Sequence, residues 1–151
     1  MRLLATISTF LIVLMIDVGC ADAQWTRHVV MEQGHCNTAV ALDANKDRFL
    51  DVIACFNGRI SLFIAPNWDA EIILYQFPGG NGNCIHSETI DVDGDGDLDW
   101  AGTLANGHPF WLENPGATSI QKGAWIPRVI DPDITGIHCI CLLYTSPSPR
   151  D

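Results

Sequence analysis

A run of alternating aspartates, DVDGDGDLD, occupies positions 91–99 and limits the possible folds of this chain more than any other segment does. Five carboxylates in nine residues repel one another strongly unless a cation lies among them. Oxygen ligands at alternate positions, with a glycine at the sixth for the sharp turn, are typical of a Ca²⁺-binding loop. A looser copy, DANKDRFLD, begins 48 residues earlier at positions 43–51. A metal loop recurring at this interval predicts a repeat architecture. We call positions 43–51 the first loop and positions 91–99 the second loop.

The N-terminal residues are typical of a secretory signal peptide. Arg2 precedes a mostly apolar segment at 3–15, and Ala21-Asp22-Ala23 has the small-x-small pattern of a cleavage site. We therefore assign residues 1–23 to a signal peptide and expect a mature chain that begins at Gln24. Such a chain would be secreted, extracellular or periplasmic, or held at the cell surface.

Two other readings of this segment are weaker. A membrane anchor needs roughly 20 apolar residues, and this run is shorter, so we expect no membrane span in the mature chain. Val18-Gly19-Cys20 resembles a lipobox, but Asp17 stands where a leucine is usual.

The C-terminal residues 141–151, CLLYTSPSPRD, resemble the translation of a transposase-based sequencing-library adapter. The alternative is a natural Ser/Pro-rich linker. We expect the segment to lie outside the fold and the gene to continue past Ile140, which would make this chain a truncated fragment.

The negative charge is concentrated in the two loops. Residues 24–140 contain six Lys/Arg and 15 Asp/Glu, and eight of these acids lie in the loops. Nucleic-acid binding is disfavoured because it needs a basic patch to meet phosphate. The apolar content and the tryptophans disfavour a disordered acidic chain.

Short apolar runs separated by Gly, Asn and Pro predict β-strands joined by tight turns. The runs are 37–42, 52–55, 60–64, 86–90, 100–104 and 110–113. Asn57-Gly58 and Asn106-Gly107 predict hairpins. No window shows a sustained 3.6-residue apolar period, so we expect almost no helix after the signal peptide.

The same runs divide into repeat units. Trp25, Trp68 and Trp125 each precede a β-branched pair by four residues and open three units. Four strands in roughly 45–50 residues is the size of one β-propeller blade. We therefore predict an all-β fold over 24–140: a partial β-propeller of about two four-stranded antiparallel blades and the start of a third.

The chain resembles the FG-GAP/VCBS repeat family at HSETIDVDGDGDLDWAGTLANG, at FWLENPG and, more weakly, at NTAVALDANKDRFLDVIACFNG. Members are secreted β-propellers related to the blades of integrin alpha subunits, and the resemblance covers most of 25–140. It implies a DxDxDGxxD loop that holds Ca²⁺ in a hairpin of each blade. In the second loop it implies side-chain ligands from Asp91, Asp93, Asp95 and Asp99 and a backbone carbonyl ligand from Asp97.

The first loop departs from that pattern. Its matching positions are Asp43, Asn45, Asp47 and Asp51, with Phe49 at the carbonyl position. Asn45 is neutral, and Arg48 replaces the turn glycine, where a positive φ costs about 1 kcal/mol. Lys46 and Arg48 also raise the local positive potential. We expect weaker Ca²⁺ binding here than in the second loop.

Other metal sites fit less well. An EF-hand needs flanking helices and a glutamate at loop position 12, which is Gly102 or Ala54 here. A solvated Asp/Asn-rich turn without metal remains open for the first loop. His35-Cys36, Cys84-x-His86 and His138-Cys139 could suggest zinc, but their spacing fits no closed zinc finger.

An oxidising compartment would permit disulfides among the cysteines of the mature chain. Those outside the signal peptide and the C-terminal segment are Cys36, Cys55, Cys84 and Cys139. Four cysteines allow three pairings, and the sequence does not choose among them.

These features together predict a Ca²⁺-stabilised binding or adhesion scaffold for an extracellular glycan or protein. We expect no enzyme activity, because no nucleophile–base constellation or phosphate loop is recognisable. The alternatives are a propeller-fold enzyme such as a polysaccharide lyase, a non-catalytic domain of a larger enzyme, and a purely structural surface component. We expect the tryptophans to lie in blade cores rather than on a sugar-binding surface.

Overall fold

The computed structural model describes residues 26–32, 34–104 and 106–143, and these residues form an all-β fold. Eight strands make two four-stranded antiparallel sheets, each in chain order. The first sheet contains β1 (Cys36–Leu42), β2 (Asp51–Phe56), β3 (Arg59–Phe63) and β4 (Glu71–Gln76). The second contains β5 (Cys84–Ile90), β6 (Asp99–Leu104), β7 (Phe110–Glu113) and β8 (Ile126–Val129). Two 3₁₀ turns, Pro78–Gly80 and Ile120–Lys122, are the only helical elements of the described residues.

The all-β prediction is confirmed, and the predicted apolar runs coincide with strands to within two residues at each end. The predicted signal peptide at 1–23 lies outside the described residues, as does most of 141–151. No helix of the described part is both long and apolar enough to cross a membrane.

The two sheets repeat the same strand register. Leu42 pairs with Asp51 at the end of β1 and β2, and Ile90 pairs with Asp99 at the end of β5 and β6. A bulge follows Cys36 in β1, and an equivalent bulge lies between Cys84 and His86 in β5. The 48-residue interval of the sequence is therefore also a structural repeat, and each Asp-rich loop joins the first two strands of a sheet.

The Asn57-Gly58 turn forms the predicted hairpin. Phe56 pairs with Arg59 across it, and the two turn residues have φ of 47° and 73°. Positive φ at both central positions defines a type I′ turn, whose twist matches that of the flanking strands. Asn106-Gly107 instead lies within the longer connection from β6 to β7.

One apolar core joins the two sheets. From the first sheet it contains Leu42, Ile53, Cys55, Ile60, Leu62 and Leu74, and from the second Cys84, Trp100, Phe110 and Leu112, with Ile120 and Trp125 from the connection before β8. Trp100 is fully buried, and Trp111 and Trp125 are also buried. Trp100 and Trp125 therefore lie in this core, as expected, whereas Trp111 is buried outside it and Trp68 is half-buried.

The boundary between the two sheets lies one strand later in the chain than the boundary between the sequence units. The strand after Trp68, β4, completes the first sheet, and the strand after Trp125, β8, completes the second. Trp68 and Trp125 therefore precede the last strand of one sheet rather than opening the next, because hydrogen bonding to β3 and β7 decides where these strands belong.

The predicted start of a third blade is not a strand in this structure. Residues 130–143 contain no strand, and neither do the described residues 26–32. The backbone N–H of Ile140 does reach Nδ1 of His86 in β5, at 3.3 Å. Across the described residues the two sheets do not close into a ring.

The first strands of the two sheets lie against each other. β1 contacts β5, and the hydroxyls of Thr38 and Ser87 are 2.8 Å apart. This contact brings the first and second loops to neighbouring positions at the same end of the two sheets.

Candidate metal centre

The second loop gathers three of its predicted ligands. Carboxylate oxygens of Asp91, Asp93 and Asp99 all lie within 4.8 Å of one another. Asp95 stands in the same loop, where its Oδ1 accepts a hydrogen bond from the backbone N–H of Asp97 at 2.8 Å. Three hard oxygen donors at this separation are a chemically suitable set for Ca²⁺, which takes carboxylate, carbonyl and water oxygens.

The loop backbone wraps around Asp91. Its Oδ1 accepts from the N–H of Gly94 at 2.7 Å, and its Oδ2 accepts from the N–H of Gly96 at 3.0 Å. Gly94 and Gly96 have φ of 79° and 87°, a region that glycine enters without a steric penalty. The alternating Asp-Gly pattern thus forms a loop whose carboxylates converge while its turns remain unstrained.

Asp99 is the buried anchor of the second loop. Its Oδ2 accepts from the N–H of Val92 at 2.9 Å, and its Oδ1 accepts from the N–H of Asn114 at 2.8 Å. Burial raises the pKa of this carboxyl, the two backbone N–H groups oppose the rise, and the charges of Asp93 and Asp95 add to it. A bound cation would favour the ionised form and relieve this unfavourable environment.

The first loop has the same backbone design. Asp43 accepts from the N–H groups of Asp47 at 3.0 Å and Arg48 at 2.9 Å. Asp51 is buried like Asp99 and accepts from the N–H groups of Ala44 at 3.0 Å and Ala65 at 2.8 Å. Burial likewise raises the pKa of the Asp51 carboxyl.

The two loops differ in backbone strain. Arg48 has a φ of 75°, which confirms that a non-glycine residue occupies a glycine conformation. Lys46, at the position of Gly94, has a φ of 61° and adds a second strained residue that the sequence reading missed. The first loop therefore adopts the same turns at a higher conformational energy.

The polar contacts of the loops differ as well. The amide Nδ2 of Asn45 donates to Oδ2 of Asp47 at 2.9 Å, a hydrogen bond that the carboxylate at the equivalent position of the second loop cannot donate. The N–H of Phe49 donates to Oδ1 of Asp47 at 2.8 Å, as the N–H of Asp97 does to Asp95 in the second loop. Within the described residues, only the second loop has ligand atoms of three His, Cys, Asp or Glu side chains within 4.8 Å of one another. The carbonyl ligands predicted at Phe49 and Asp97 stay predictions.

Lys46 links the loops to each other. Its Nζ lies 2.6 Å from Oδ1 of Asp97, whose side chain is largely buried. This hydrogen bond is the main cause of the raised pKa of Lys46, and the charges of Asp95 and Asp91 contribute. The expectation that Lys46 raises the potential of its own loop therefore needs correction, because the ammonium group lies against the second loop.

Asn114 is a structural residue of the centre that the sequence reading did not single out. It is buried, and its Nδ2 donates to the carbonyl of Ala44 at 3.3 Å and to that of Leu98 at 3.1 Å. Its backbone N–H also donates to Asp99, so the hydrogen bonds of Asn114 connect both loops to the end of β7. The motif FWLENPG contains Asn114, but nothing in the sequence indicated the role of this residue.

The cysteines and histidines considered for zinc do not gather. No group of three His, Cys, Asp or Glu ligands other than the aspartates occurs in the described parts of the chain. Cys36 and Cys139 are exposed, whereas Cys55 and Cys84 are buried together.

Comparison with protein-family models, with curated proteins and with solved structures finds no match to this chain.

Proposed function

We propose that this chain is part of a secreted Ca²⁺-binding β-propeller of the FG-GAP/VCBS type, and that it serves as a non-catalytic scaffold for an extracellular glycan or protein. The observation that carries the proposal is the convergence of Asp91, Asp93 and Asp99 in a loop between the first two strands of a repeated sheet. The same loop fold recurs in the preceding sheet.

The propeller part of the proposal is supported by how the sheets meet. In a propeller, four-stranded antiparallel blades stand around a central channel. Here β1 and β5 contact each other, and the two sheets share one core. Ile140 bonds to His86 of β5, so the chain after β8 returns to the first strand of the second sheet, where a further blade would begin.

The metal would act as a lock on the hairpin between the first two strands. It would offset repulsion among the carboxylates and the unfavourable burial of Asp99. Extracellular modules often bind Ca²⁺ with dissociation constants of about 10⁻⁴–10⁻³ M, which suffices where calcium is plentiful. The rigid loops and sheet ends would then be available for a binding partner.

Thermal melting with and without calcium tests the metal site. A ligand that binds only the folded state raises its stability, here by about 2 kcal/mol at a tenfold to hundredfold excess over the dissociation constant. We expect 10 mM Ca²⁺ to raise the Tm by roughly 5 °C and Mg²⁺ to have less effect.

Matched variants identify the location. Asp91→Asn with Asp93→Asn should abolish most of the calcium effect, whereas Asp69→Asn, an exposed acid outside the loops, should leave it intact. A wild-type Tm that does not respond to calcium would refute the metal site.

The scaffold role is tested separately. Retention of the calcium-loaded protein on immobilised surface polysaccharides, compared with the Asp91→Asn/Asp93→Asn variant, should reveal calcium-dependent binding. Turnover of a polysaccharide substrate by the purified protein would instead favour an enzyme and contradict the proposal.

A further inference from the structure

Two buried cysteines from different sheets meet in the core. Cys55 lies in β2 and Cys84 begins β5, and both are 0% exposed. The backbone N–H of Cys84 points at Sγ of Cys55 over 3.3 Å. The Cys55 sulfur therefore contacts the backbone of Cys84, although 28 residues lie between these two cysteines in the chain.

The other two cysteines of residues 24–140 have different surroundings. Cys36 is exposed, and its thiol is directed at the carbonyl of Thr38 at 3.4 Å. Partial desolvation of the thiol is the larger cause of the raised pKa of Cys36, and the nearby Cys55 adds to it, so Cys36 is the natural competitor for Cys55. Cys139 is exposed in the segment after β8.

We propose that Cys55 and Cys84 form a disulfide bond that ties the second strand of the first sheet to the first strand of the second. The proposal rests on the proposed export to an oxidising compartment and is independent of the proposed metal site. It selects one partner for Cys55 among those that the sequence leaves open.

The bond forms by ordinary thiol–disulfide exchange with a small or protein disulfide as oxidant. The thiolate of one cysteine attacks the oxidant, forms a mixed disulfide and releases one thiol. The thiolate of the other then displaces the second thiol and closes the Cys55–Cys84 bond. Two protons and two electrons leave the cysteine pair, and the oxidant is reduced to two thiols.

The disulfide would form during folding rather than in the fully folded protein. A hydrogen bond with Cys55 and burial together raise the pKa of the Cys84 thiol in the folded, reduced chain, and the same hydrogen bond lowers the pKa of Cys55, so access to the sulfurs limits the reaction there. The core also shields both sulfurs from a bulky oxidant. Once formed, the bond would be protected from reductants for the same reason.

Peptide mapping tests the pairing directly. Trypsin places Cys36, Cys55, Cys84 and Cys139 on four different peptides: 28–46, 49–59, 60–122 and 129–150. The full chain is refolded in a buffer of reduced and oxidised glutathione, alkylated without reduction, digested and analysed by mass spectrometry. We expect peptide 49–59 linked to 60–122, with Cys36 and Cys139 alkylated. Free thiols at both Cys55 and Cys84, or a link from 28–46 to either peptide, would overturn the proposal.

Melting curves give an independent readout. A disulfide closing a loop of this length should raise the Tm by about 10 °C, so wild type that has been unfolded, reduced and refolded in reductant should melt lower than the oxidised protein by that amount. The Cys55→Ala/Cys84→Ala variant should melt at the same temperature with and without reductant, and Cys36→Ser should keep the wild-type response. A response to reductant in the double variant, or none in wild type, would contradict the bond. The comparison is made without calcium, so failure of the metal proposal leaves it unaffected.

Discussion

The two loops differ most in the charge and conformation of a few residues. Asn45 replaces a carboxylate in the first loop, and Lys46 and Arg48 take positive φ where the second loop has Gly94 and Gly96. Lys46 directs its charge across to Asp97, so the first loop modifies the electrostatics of the second. We still expect weaker Ca²⁺ binding in the first loop, because it has one carboxylate fewer and contains two residues with a strained backbone conformation.

Lys46→Gln should strengthen calcium binding at the second loop. A positive charge beside Asp97 opposes a divalent cation among the neighbouring carboxylates, and its removal should lower the dissociation constant about threefold or more at low salt. Calorimetric titration measures this, with Arg27→Gln as a control that removes a positive charge outside the loops. Weaker binding in Lys46→Gln would mean that the Lys46–Asp97 ion pair instead holds the loop in its binding conformation.

Calcium stabilisation should decline in acid. Burial raises the folded-state pKa of Asp51 and Asp99 above the unfolded value. In the metal-free protein these carboxyls therefore lower stability as pH rises through the folded pKa, and this loss is absent below the unfolded pKa. Calcium binds the ionised form, so its effect on Tm should be full at neutral pH and shrink as pH falls through the raised pKa of Asp99. Melting curves in calcium and in calcium-free buffer from pH 7 to 4 measure this, and a constant difference would contradict it.

At the scale of elements, each hairpin depends on a turn suited to its surroundings. Gly58 has a positive φ, and a Cβ built on it would lie 2.0 Å from the carbonyl oxygen of Gly80. Gly96 also has a positive φ, yet a Cβ there would meet nothing within 4 Å. One glycine is thus required by conformation and by close approach, and the other by conformation alone.

Gly58→Ala should destabilise the protein more than Gly96→Ala does. The first change adds a backbone clash to the strain of a positive φ and should lower the free energy of unfolding by more than about 2 kcal/mol, against about 1 kcal/mol for the second. Urea denaturation of both variants in calcium-free buffer measures the difference. Equal losses would show that the Gly80 segment moves away without resistance.

At the scale of the whole molecule, two sheets share one core, and apolar residues remain at the surface. Ile126, Val129 and Ile130 in and after β8 are each more than half exposed. The first and last strands of each sheet have open hydrogen-bonding edges, because the described sheets do not close. Repeat units need neighbours to bury such faces, and open edges promote pairing between chains.

The isolated chain should therefore self-associate. We expect a dimer or larger species at micromolar concentration by size-exclusion chromatography with light scattering. Val129→Lys with Ile126→Lys should shift the population toward monomer, because charges oppose the pairing of exposed edges. A wild-type chain that is monodisperse, monomeric and cooperatively folded would contradict the expectation.

Local sequence signals were enough to predict six of the eight strands, the two Asp-rich loops and the Asn57-Gly58 hairpin. These features depend on signals within a few residues: apolar runs, glycine at a positive φ, and carboxylates at alternate positions. The sequence also located Arg48 in a strained turn, because the repeat placed it opposite a glycine.

The contacts that join distant segments became evident only in the folded molecule. It assigned β4 and β8 to the sheets before them, carried Lys46 across to Asp97, set Asn114 between the two loops and brought Cys55 to Cys84. Each of these depends on how the sheets pack against each other. Sequence spacing carries no information about that packing, because residues far apart in the chain become neighbours only when the shared core around Trp100 forms.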